Sequence, residues 1–586
     1  MSLEVTVGIG GAAGDGTGAT GDNLAKVCAR LGLHLFAYNS YQSIIRGGHV
    51  WLRLRIAEQK VTNHGDHLNL LIALNQDTLD RHAAEVRTTG GILYNSDRLE
   101  VVKDDLQPGV SLYPLPIREL TQAFGRQVIL QNTVALGGLF WLLHLDFDML
   151  EAVLREMFGG RRSKDESVVE ANVGVARAGY QYAHEHFPAL DYPWRFTGKQ
   201  RLVTSGNELF GLGALAAGCK FYAAYPMAPS TAVLHWLAAH AARHGMVVKQ
   251  CEDEIAVLNM VVGAAHVGVR AMCATSGGGF ALMTEAVGLA GMTETPVVVI
   301  DVQRGGPSTG LPTKTEQADL NQLFGASQGD YPRAILAPTD LVDCFYTVVE
   351  AFNLAEKYQC PVLIASDLLL SEHRESADPE DFNFDVPIER GALLTNGIPE
   401  GTYKRFAFTD SGVSPRALPG TEGTAYVAAS DEHDETGVLI SDEFTNPEIR
   451  ARMMEKRMRK MEGLLKDCPP PQLFGPVDAE ITLIGWGSTK GVIREAIAAL
   501  AAQGISANNL QIRYLVPFHE AEVQAILQAS RRTLVVENNY TGQLARHIRA
   551  ETGFTVDGKL LKYDGEPFEP HHIVNHVKEI LHGNSR

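Results

Sequence analysis

Residues 246–302 read MVVKQCEDEIAVLNMVVGAAHVGVRAMCATSGGGFALMTEAVGLAGMTETPVVVIDV, and this segment shows the fold class most directly. Three short β-type runs, MVVKQC, RAMCATS and PVVVIDV, alternate in it with longer apolar runs of helical patterning. Such alternation is typical of a parallel sheet covered by helices. We therefore predict an α/β domain with polar or glycine-rich turns at successive strand ends.

The same pattern extends outward in both directions. The same domain also contains the β-type runs FYAAYP, RAILAP and PVLIAS. A mostly parallel sheet is predicted before it, from the runs VTVGIGG, HVWLRLRI, LNLLIAL and GILYNS. A further α/β unit is predicted after it, from the runs ITLIGWG, IRYLVP and TLVVENN. The fold class is α/β, with three open α/β domains and an extended irregular arm. The predicted segments are a first domain (1–187), a linker (188–200), a second domain (201–370), an arm with one helix (371–475) and a third domain (476–586).

Composition excludes several classes of protein. At roughly 100–200 residues per domain, 586 residues predict three or four domains. Lys plus Arg total 51 against 69 Asp plus Glu, a net charge of −18, which argues against nucleic acid or an anionic membrane surface as a partner. The apolar run Leu139 to Leu145 is far shorter than the roughly 20 residues of a membrane span. We expect a cytoplasmic location.

The cysteine spacing argues against a cluster or a zinc site in this chain. None of the 7 cysteines forms a C-x2-C or C-x4-C pair. Iron–sulfur clusters and structural zinc sites usually take four ligands, some of them closely spaced. We interpret the cysteines as core thiols of a reducing compartment and expect no metal ligands here.

The loop VGIGGAAGDGTGATGDN near the start could cradle a phosphate with backbone N–H groups before a helix. It contains G-x-G-x-x-G at Gly16, Gly18 and Gly21. A dinucleotide site needs this turn directly after the strand and an acidic residue about 20 positions later. The strand is expected to end near Ile9 and FAYNSYQS contains no acid, so a nicotinamide or flavin site is disfavoured.

The triplet Gly14-Asp15-Gly16, followed by Asn39, superficially matches the metal–diphosphate motif of thiamine enzymes. That motif belongs at the carboxyl end of a strand, and Gly14 lies four residues beyond Gly10, the last expected strand residue. Two interpretations stay open for this loop: a tight βα turn, or a site for another phosphate-bearing ligand.

Two further segments offer charged side chains. Arg46 and His49 flank the glycine pair of IIRGGHV, and either could contact an anion, although a lone histidine is more often a packed or surface residue. Glu254 begins the apolar run IAVLNMVVGAA. A carboxylate at the start of a buried helix needs a partner. Glu252 and Asp253, in contrast, are typical of exposed charges at a helix start.

Five motifs occur in an order that resembles the 2-oxoacid:ferredoxin oxidoreductases. They are YPMAPST (225–231), the helix that begins at Glu254, TSGGGFALMTE (275–285), QRGGPSTGLPT (303–313) and VVENNYTGQL (535–544). The resemblance covers nearly the whole chain and is to a large subunit with fused γ and α portions. It implies a γ-type domain, a thiamine diphosphate pyrimidine-binding domain and a transketolase carboxyl-terminal-like domain, in that order.

The resemblance implies roles for particular residues. Glu254 would bond N1′ of the thiamine aminopyrimidine, and Arg304 would grip the substrate carboxylate with its guanidinium fork. Tyr225, Ser230 and Thr231 would line the same pocket. Coenzyme A contacts would lie in the first domain, at Gly14, Asp15, Gly16 and Arg46. The residues available for a second substrate carboxylate are Arg304, Lys314, Arg46 and His49.

This chain departs from the family pattern at two places. Met227-Ala228 replaces the usual Ile-Thr of YPITPST, which removes a hydroxyl near the substrate, and SGGG replaces the usual SGPG. The first departure puts a direct transfer of pyruvate-type contacts in doubt.

The family reaction is the reversible, coenzyme A-dependent oxidative decarboxylation of a 2-oxoacid, with ferredoxin as electron acceptor. The resemblance implies that a smaller β subunit carries Mg²⁺ and a [4Fe-4S] cluster, in a heterotetramer whose active site lies between chains. Fused subunits often take 2-oxoglutarate and form succinyl-CoA, the 2-oxoglutarate synthase reaction of the reductive tricarboxylic acid cycle. The alternatives are a pyruvate or broad-specificity member, a non-catalytic partner subunit and a nicotinamide dehydrogenase.

Overall fold

The structure is a computed structural model that describes residues 3–14, 16–42, 47–103, 106–124, 130–159, 166–440 and 446–583. Asp15 and Arg46 lie outside the described residues. The chain forms two compact units, one of Met1–Thr204 with His373–Asp381 and one of Ser205–Glu372 with Phe382–Arg586. The first unit thus includes a short segment from much later in the chain.

The strands are numbered in chain order. They are β1 (Glu4–Ala13), β2 (His34–Ser40), β3 (Gly47–Ala57), β4 (Leu68–Ala73), β5 (Val86–Asn95), β6 (Ser111–Leu115), β7 (Leu202–Thr204), β8 (Phe221–Ala224), β9 (Val247–Gln250), β10 (Ala271–Thr275), β11 (Val298–Gln303), β12 (Ala334–Leu336), β13 (Val362–Asp367), β14 (Arg374–Ala377), β15 (Leu393–Leu394), β16 (Arg416–Ala417), β17 (Leu473–Phe474), β18 (Ile481–Trp486), β19 (Ala507–Ile512), β20 (Tyr514–Val516), β21 (Thr533–Glu537) and β22 (Gly558–Leu561).

The α-helices are numbered in the same way. They are α1 (Thr17–Arg30), α2 (Gln76–His82), α3 (Ile117–Thr121), α4 (Gln131–Leu142), α5 (Phe147–Phe158), α6 (Glu166–His186), α7 (Gly206–Ala216), α8 (Thr231–His240), α9 (Glu254–His266), α10 (Gly277–Met292), α11 (Leu320–Gly325), α12 (Leu341–Tyr358), α13 (Leu368–Glu372), α14 (Pro447–Asp467), α15 (Thr489–Ala501), α16 (Glu520–Ala529), α17 (Gln543–Thr552) and α18 (Pro570–Leu581). Among the described residues, no helix has the length and apolar character needed to cross a membrane.

The first unit is built on an eight-stranded sheet of order β6-β5-β4-β1-β3-β2-β14-β7. The strands β1, β4, β5 and β6 run parallel, whereas the pairs β1–β3, β3–β2, β2–β14 and β14–β7 are antiparallel. The expectation of a mostly parallel first sheet is therefore wrong for half of it. Because β2 and β3 follow each other closely in the chain, they pair as an antiparallel hairpin.

The second unit contains the α/β pattern of residues 246–302. Its larger sheet has the order β20-β12-β13-β11-β10-β8-β9, and every pair except β12–β20 is parallel. A five-stranded sheet of order β17-β19-β18-β21-β22 follows, parallel except at β17. The central strands β11 and β18 are buried along their whole length, as parallel strands covered on both faces should be. The α/β prediction is confirmed.

The helix predicted within the arm is α14, and a buried charge network holds it against the rest of the second unit. Lys456 and Lys460 both donate to the Glu294 carboxylate at 2.5 Å, and the three side chains are at most 1% exposed. Arg405 adds a bond from Nη2 to the Glu294 carbonyl at 2.8 Å. Two ammonium groups share one carboxylate here, so the network holds more positive than negative charge.

Candidate active site

The predicted residues of the second unit gather at one edge of its larger sheet. Strands β9, β8, β10 and β11 run parallel, so their carboxyl ends meet at this edge. Tyr225 follows β8, Glu254 follows β9 and Arg304 follows β11. Ligands of open α/β sheets bind beyond the carboxyl ends of the strands.

Glu254 is the first residue of α9 and is 3% exposed. The helix is capped by Asp253, whose side chain accepts a hydrogen bond from the backbone N–H of Ala256 at 2.8 Å. Oε1 of Glu254 is buried and has no hydrogen-bond partner among the described residues. A buried polar atom without a partner is costly, so this oxygen is an acceptor or donor position available to a ligand.

The glycines after β10 bring backbone close to two carboxyl groups. A Cβ added at Gly279 would lie 2.6 Å from Oε1 of Glu254, and one at Gly277 would lie 2.3 Å from Oδ2 of Asp319. A side chain at either position would therefore displace a neighbouring carboxyl group. Gly278 takes the place of the family's usual proline. Among the described residues, a Cβ added there would have only the Ser308 carbonyl oxygen, at 3.9 Å, within 4 Å. The departure from SGPG thus falls at the one open position of the turn.

A cavity of about 810 Å³ opens at this edge. Its walls come from the turns after β8, β10 and β11, from residues 316–322 and from the residues that follow β21 of the five-stranded sheet. The lining residues are Met227, Ser276, Gly277, Gly278, Ala281, Arg304 to Thr309, Glu316, Ala318, Asp319, Gln322, Asn539, Tyr540, Thr541 and Gln543. The structure thus brings together Arg304 and the Met227 turn, with Glu254 directly behind the glycine turn.

Other predicted pocket residues have different surroundings. Ser230 is 1% exposed and its Oγ donates to the carbonyl of Met227 at 2.8 Å, so it shapes the turn. Thr231 begins α8, and the Tyr225 side chain is 39% exposed. The Lys314 ammonium forms an ion pair with the Glu566 carboxylate. These positions stay predictions as substrate contacts.

Arg304 is positioned by the turn after β8. Its Nη1 donates to the carbonyl of Ala228 at 2.6 Å, which ties the loop after β11 to the Met227-Ala228 segment. Burial lowers the pKa of Arg304, and the nearby Asp319 carboxylate raises it. An arginine remains charged under either influence, so the cavity wall contains a fixed, oriented cation.

Three acids at this edge were missed from the sequence. Burial, reinforced by the neighbouring Asp319, raises the pKa of Asp301 well above its ordinary value. Burial raises the pKa of Asp319 to about 6, against the lowering effect of Arg304. Burial, then Asp319 and Asp564, raise the pKa of Glu316 to about 7. One of the three could have been noticed in the sequence, because Asp301 is an acid at the end of the apolar run VVVID.

In the first unit, β1 extends to Ala13, so Gly14 follows the strand directly. The expectation that the strand ends near Ile9 or Gly10 is wrong. Gly14 and Gly16 have φ angles of 96° and 88°, and Gly16 is the N-cap of α1. Asn39 lies on β2, with β3 between it and β1. Strands two positions apart are about 10 Å apart, which argues against a shared Mg²⁺ ion.

His49 lies in a cluster of histidine, acidic and aromatic side chains. Its Nε2 lies 2.8 Å from Nε2 of His82, whose Nδ1 is 2.6 Å from the Glu85 carboxylate. Nδ1 of His49 lies 3.4 Å from Asp77, and the Trp51 ring stacks on His82 with centroids 3.6 Å apart. The two histidines therefore form a hydrogen-bonded pair.

Helices α9 and α10 carry apolar side chains on an outward face. Ile255 and Met260 of α9 are 51% and 40% exposed, and Leu282 of α10 is 52% exposed. A helix that is apolar all round is normally buried. This face therefore has the character of a contact surface for another chain.

Family models match three consecutive parts of the chain. Residues 6–182 match pyruvate ferredoxin/flavodoxin oxidoreductase, residues 212–454 match the thiamine diphosphate-binding model of pyruvate flavodoxin/ferredoxin oxidoreductase, and residues 479–573 match core domain II of pyruvate:ferredoxin oxidoreductase.

Two relatives and one solved structure match over nearly the full length of the chain. The α subunit of 2-oxoacid:ferredoxin oxidoreductase 2 from Aeropyrum pernix is 30% identical over 99% of this chain and 98% of its own. The 2-oxoglutarate oxidoreductase subunit KorA of Mycobacterium tuberculosis is 32% identical over 99% and 92%. The 2-oxoglutarate:ferredoxin oxidoreductase of Magnetococcus marinus, solved with 2-oxoglutarate, coenzyme A and succinyl-CoA, superimposes with a TM-score of 0.91, at 34% identity and 98% and 99% coverage. This chain belongs to the 2-oxoacid:ferredoxin oxidoreductases.

Proposed function

We propose that this chain is the large α subunit of a thiamine diphosphate-dependent oxidoreductase. The enzyme reversibly converts 2-oxoglutarate, coenzyme A and oxidised ferredoxin to succinyl-CoA, CO₂, reduced ferredoxin and a proton. The observation that carries the proposal is the buried Oε1 of Glu254, which has no hydrogen-bond partner in the described part of the chain and is held against Gly279 beside a cavity that contains Arg304. The 2-oxoglutarate named for the Mycobacterium and Magnetococcus relatives supports the choice of substrate.

The residues of this edge fit the aminopyrimidine half of thiamine diphosphate. The bound cofactor supplies a nucleophilic carbon and an electron sink. Glu254 has one carboxyl oxygen available to share a proton with the N1′ atom of the ring, and its burial strengthens that bond because water does not compete for it. Gly277 and Gly279 keep side-chain atoms away from the backbone of this turn.

Arg304 is the proposed ligand of the substrate carboxylate. Ala228 fixes Nη1, so the plane of the guanidinium has a defined orientation at the cavity wall. A planar fork binds a carboxylate through paired hydrogen bonds. The chain has a methyl group at Ala228, where family members commonly have a hydroxyl, so contacts to the acid rest more heavily on Arg304.

The diphosphate–Mg²⁺ site and the [4Fe-4S] cluster are assigned to a smaller β subunit. All seven cysteines of this chain are buried, and burial raises the pKa of Cys28, Cys219, Cys360 and Cys468 to about 12. Cluster ligands are thiolates, so these cysteines do not fit a cluster. The apolar face of α9 and α10 offers the small subunit a surface next to Glu254.

Coenzyme A is assigned to the first unit. The left-handed Gly14 and Gly16 turn leads into the N-terminus of α1, which favours phosphate. The proposed coenzyme A site also includes Asp15 and Arg46, which lie outside the described residues. We propose in addition that the assembled enzyme is cytoplasmic.

The test is to purify the complex of this chain with its small subunit and assay several 2-oxoacids with coenzyme A and a low-potential acceptor. We expect 2-oxoglutarate to have the highest kcat/KM, and Glu254→Ala to lower turnover roughly 10²–10⁴-fold. Glu252→Gln, at an exposed neighbour, is the control. Unchanged turnover in Glu254→Ala would show a non-catalytic subunit, and NAD-dependent turnover without thiamine would show a nicotinamide dehydrogenase.

A further inference from the structure

Gln317 is a fully buried glutamine in the segment between β11 and α11, and both sheets of the second unit bond to its side chain. Its Nε2 donates to the carbonyl of Trp486, the last residue of β18, at 3.0 Å and to Oδ2 of Asp367, the last residue of β13, at 3.3 Å. Its Oε1 accepts the backbone N–H of Asn538, directly after β21, at 3.2 Å. The side-chain amide thus joins the ends of three strands from two sheets.

The backbone of Gln317 is held as well as its side chain. Its N–H donates to the carbonyl of Asn538 at 2.7 Å, and its carbonyl accepts Nδ2 of Asn539 at 3.0 Å. A Cβ added at Gly487 would lie 2.8 Å from Nε2 of Gln317, so the packing around the amide is close. A side-chain amide offers two N–H donors and a carbonyl acceptor, and all of them are bonded here. A buried polar group with its partners present specifies a single conformation.

The residues on either side of Gln317 line the active-site cavity. They are Glu316, Ala318 and Asp319, and residues 316–319 are here called the acidic strip. The carbonyl of Ala318 accepts Nε2 of Gln543, at the start of α17, at 2.7 Å. The backbone N–H of Asp319 donates to Oε1 of Gln303, the last residue of β11, at 2.9 Å. The acidic strip is therefore bonded to both sheets, and the bonds of Gln317 join the two.

The place of the acidic strip matters to the cation of the cavity wall. Arg304 and Asp319 line the same cavity. Burial lowers the pKa of Arg304, and the Asp319 carboxylate opposes that effect, so the two charged groups act on each other. Misplacement of an active-site group by about 1 Å can cost about 10²-fold in rate. A shift of the strip would therefore be felt in turnover.

We propose that Gln317 is a positioning residue of the active site: its amide fixes the acidic strip against the five-stranded sheet, so that this sheet supports one wall of the cavity. The proposal rests on the proposed function, because it concerns the same cavity. Gln317 does not itself line that cavity and acts through the neighbours that do.

The first test is steady-state kinetics of the assembled complex with Gln317→Leu, which removes the side-chain hydrogen bonds at similar size. We expect kcat/KM for the 2-oxoacid to fall by up to about 10²-fold, with little change in KM for coenzyme A. Near-wild-type kcat/KM in the folded variant would overturn the proposal.

Gln359→Leu is the matched control. Gln359 is likewise buried, at 1% exposed, and does not line the cavity. Its Nε2 donates to the carbonyl of Ser414 at 2.6 Å, and its Oε1 accepts Nη1 of Arg405 at 2.9 Å. This variant should lower stability and leave kcat/KM of the folded complex unchanged. An equal loss of kcat/KM in both variants would show general destabilisation and overturn the positioning role.

An exchange of donor and acceptor separates positioning from lost packing. Gln317→Glu replaces the donating Nε2 by an oxygen that faces the Asp367 carboxylate, so kcat/KM should again fall. Adding Asp367→Asn returns a donor to this contact, and kcat/KM should recover in part. Effects of the two substitutions that simply multiply would overturn the role of this hydrogen bond. The same pair of variants decides the matter if Gln317→Leu does not fold.

Hydrogen exchange of the backbone amides gives a readout that does not depend on activity. We expect residues 315–322 to exchange faster in Gln317→Leu than in the wild type, and at the wild-type rate in Gln359→Leu. Unchanged exchange of this segment in Gln317→Leu would overturn the positioning role. A wild-type complex that turns over no 2-oxoacid would instead overturn the proposed function, and the exchange rates would still decide whether Gln317 fixes the strip.

Discussion

The carboxyl group of Glu254 lies directly against Gly279, where a Cβ atom would come within 2.6 Å of Oε1 and 2.1 Å of Oγ1 of Thr275. Helix α9, which carries the acid, therefore packs so closely against the glycine turn that one additional methyl group does not fit between them. Glu254 therefore has no room to shift toward α10, and its Oε1 has no hydrogen-bond partner among the residues that the structure describes.

Gly279→Ala should displace Glu254 and impair thiamine diphosphate binding while the chain still folds. The added methyl overlaps both neighbouring oxygens, and overpacking of this kind costs about 1–3 kcal/mol of stability. Calorimetric titration of the assembled complex measures the affinity, and thermal unfolding measures the cost. Gly325→Ala, where no atom lies within 4 Å of the new Cβ, is the matched control. Unchanged affinity in Gly279→Ala would contradict the close fit.

Arg304→Lys should raise KM for the 2-oxoacid much more than KM for coenzyme A. Lysine keeps the charge but loses the planar fork and the bond that Nη1 makes to Ala228. Steady-state kinetics with each substrate varied in turn gives the comparison. Equal increases for both substrates would reassign Arg304 to coenzyme A.

Gly16→Val should weaken the use of coenzyme A and leave cluster reduction by the 2-oxoacid without coenzyme A nearly intact. A β-branched residue is strained at a φ of 88°, so the turn before α1 must change. Gly18→Ala, inside α1 with open space around it, is the control. If Gly16→Val folds and keeps normal coenzyme A dependence, the loop is structural.

Glu294→Gln should destabilise the second unit by roughly 3–5 kcal/mol, because two buried ammonium groups lose their carboxylate. Lys456→Met should cost less, since Lys460 still pairs with Glu294. Urea unfolding of both variants measures the difference. Lys466→Met, at an exposed residue of α14, is the control. A larger loss in Lys456→Met than in Glu294→Gln would contradict an excess of positive charge.

The same network predicts a pH dependence. Burial lowers the pKa of Lys456 to about 7, against the raising effect of Glu294. Between that value and the ordinary lysine pKa near 10.4, the unfolded chain binds more protons than the folded chain, so this group makes stability rise with pH. Lys456→Met should remove that part of the rise between about pH 7 and 10.

The sequence predicted the strand-end positions of Glu254 and Arg304, because the strands before them are visible as apolar runs. It also predicted one helix in the arm, which is α14. The ends of β1 were misjudged because its last residues, Gly10 to Ala13, have low β propensity and are held by pairing with β3.

The missed features depend on register between distant segments. Asp301 and Asp319 are ordinary acids in the sequence, and only the alignment of β11 with β10 and the turn beyond shows their burial. The His49–His82 pair likewise joins β3 to α2. Strand β2 was also missed, because its residues do not alternate between buried and exposed positions along FAYNS.

The segment Arg374–Ala377 has a consequence for how this chain can be divided. As β14 it pairs with Phe36 and Ala37 of β2, and Ser376 accepts the N–H of Leu35 at 3.0 Å. A proteolytic cut within 188–200 would therefore leave the two fragments non-covalently joined through the first sheet. A fragment that ends within 188–200 lacks β14 and would expose the backbone edge of β2. Exposed strand edges promote self-association. Any free-standing version of this unit needs another way to cover that edge.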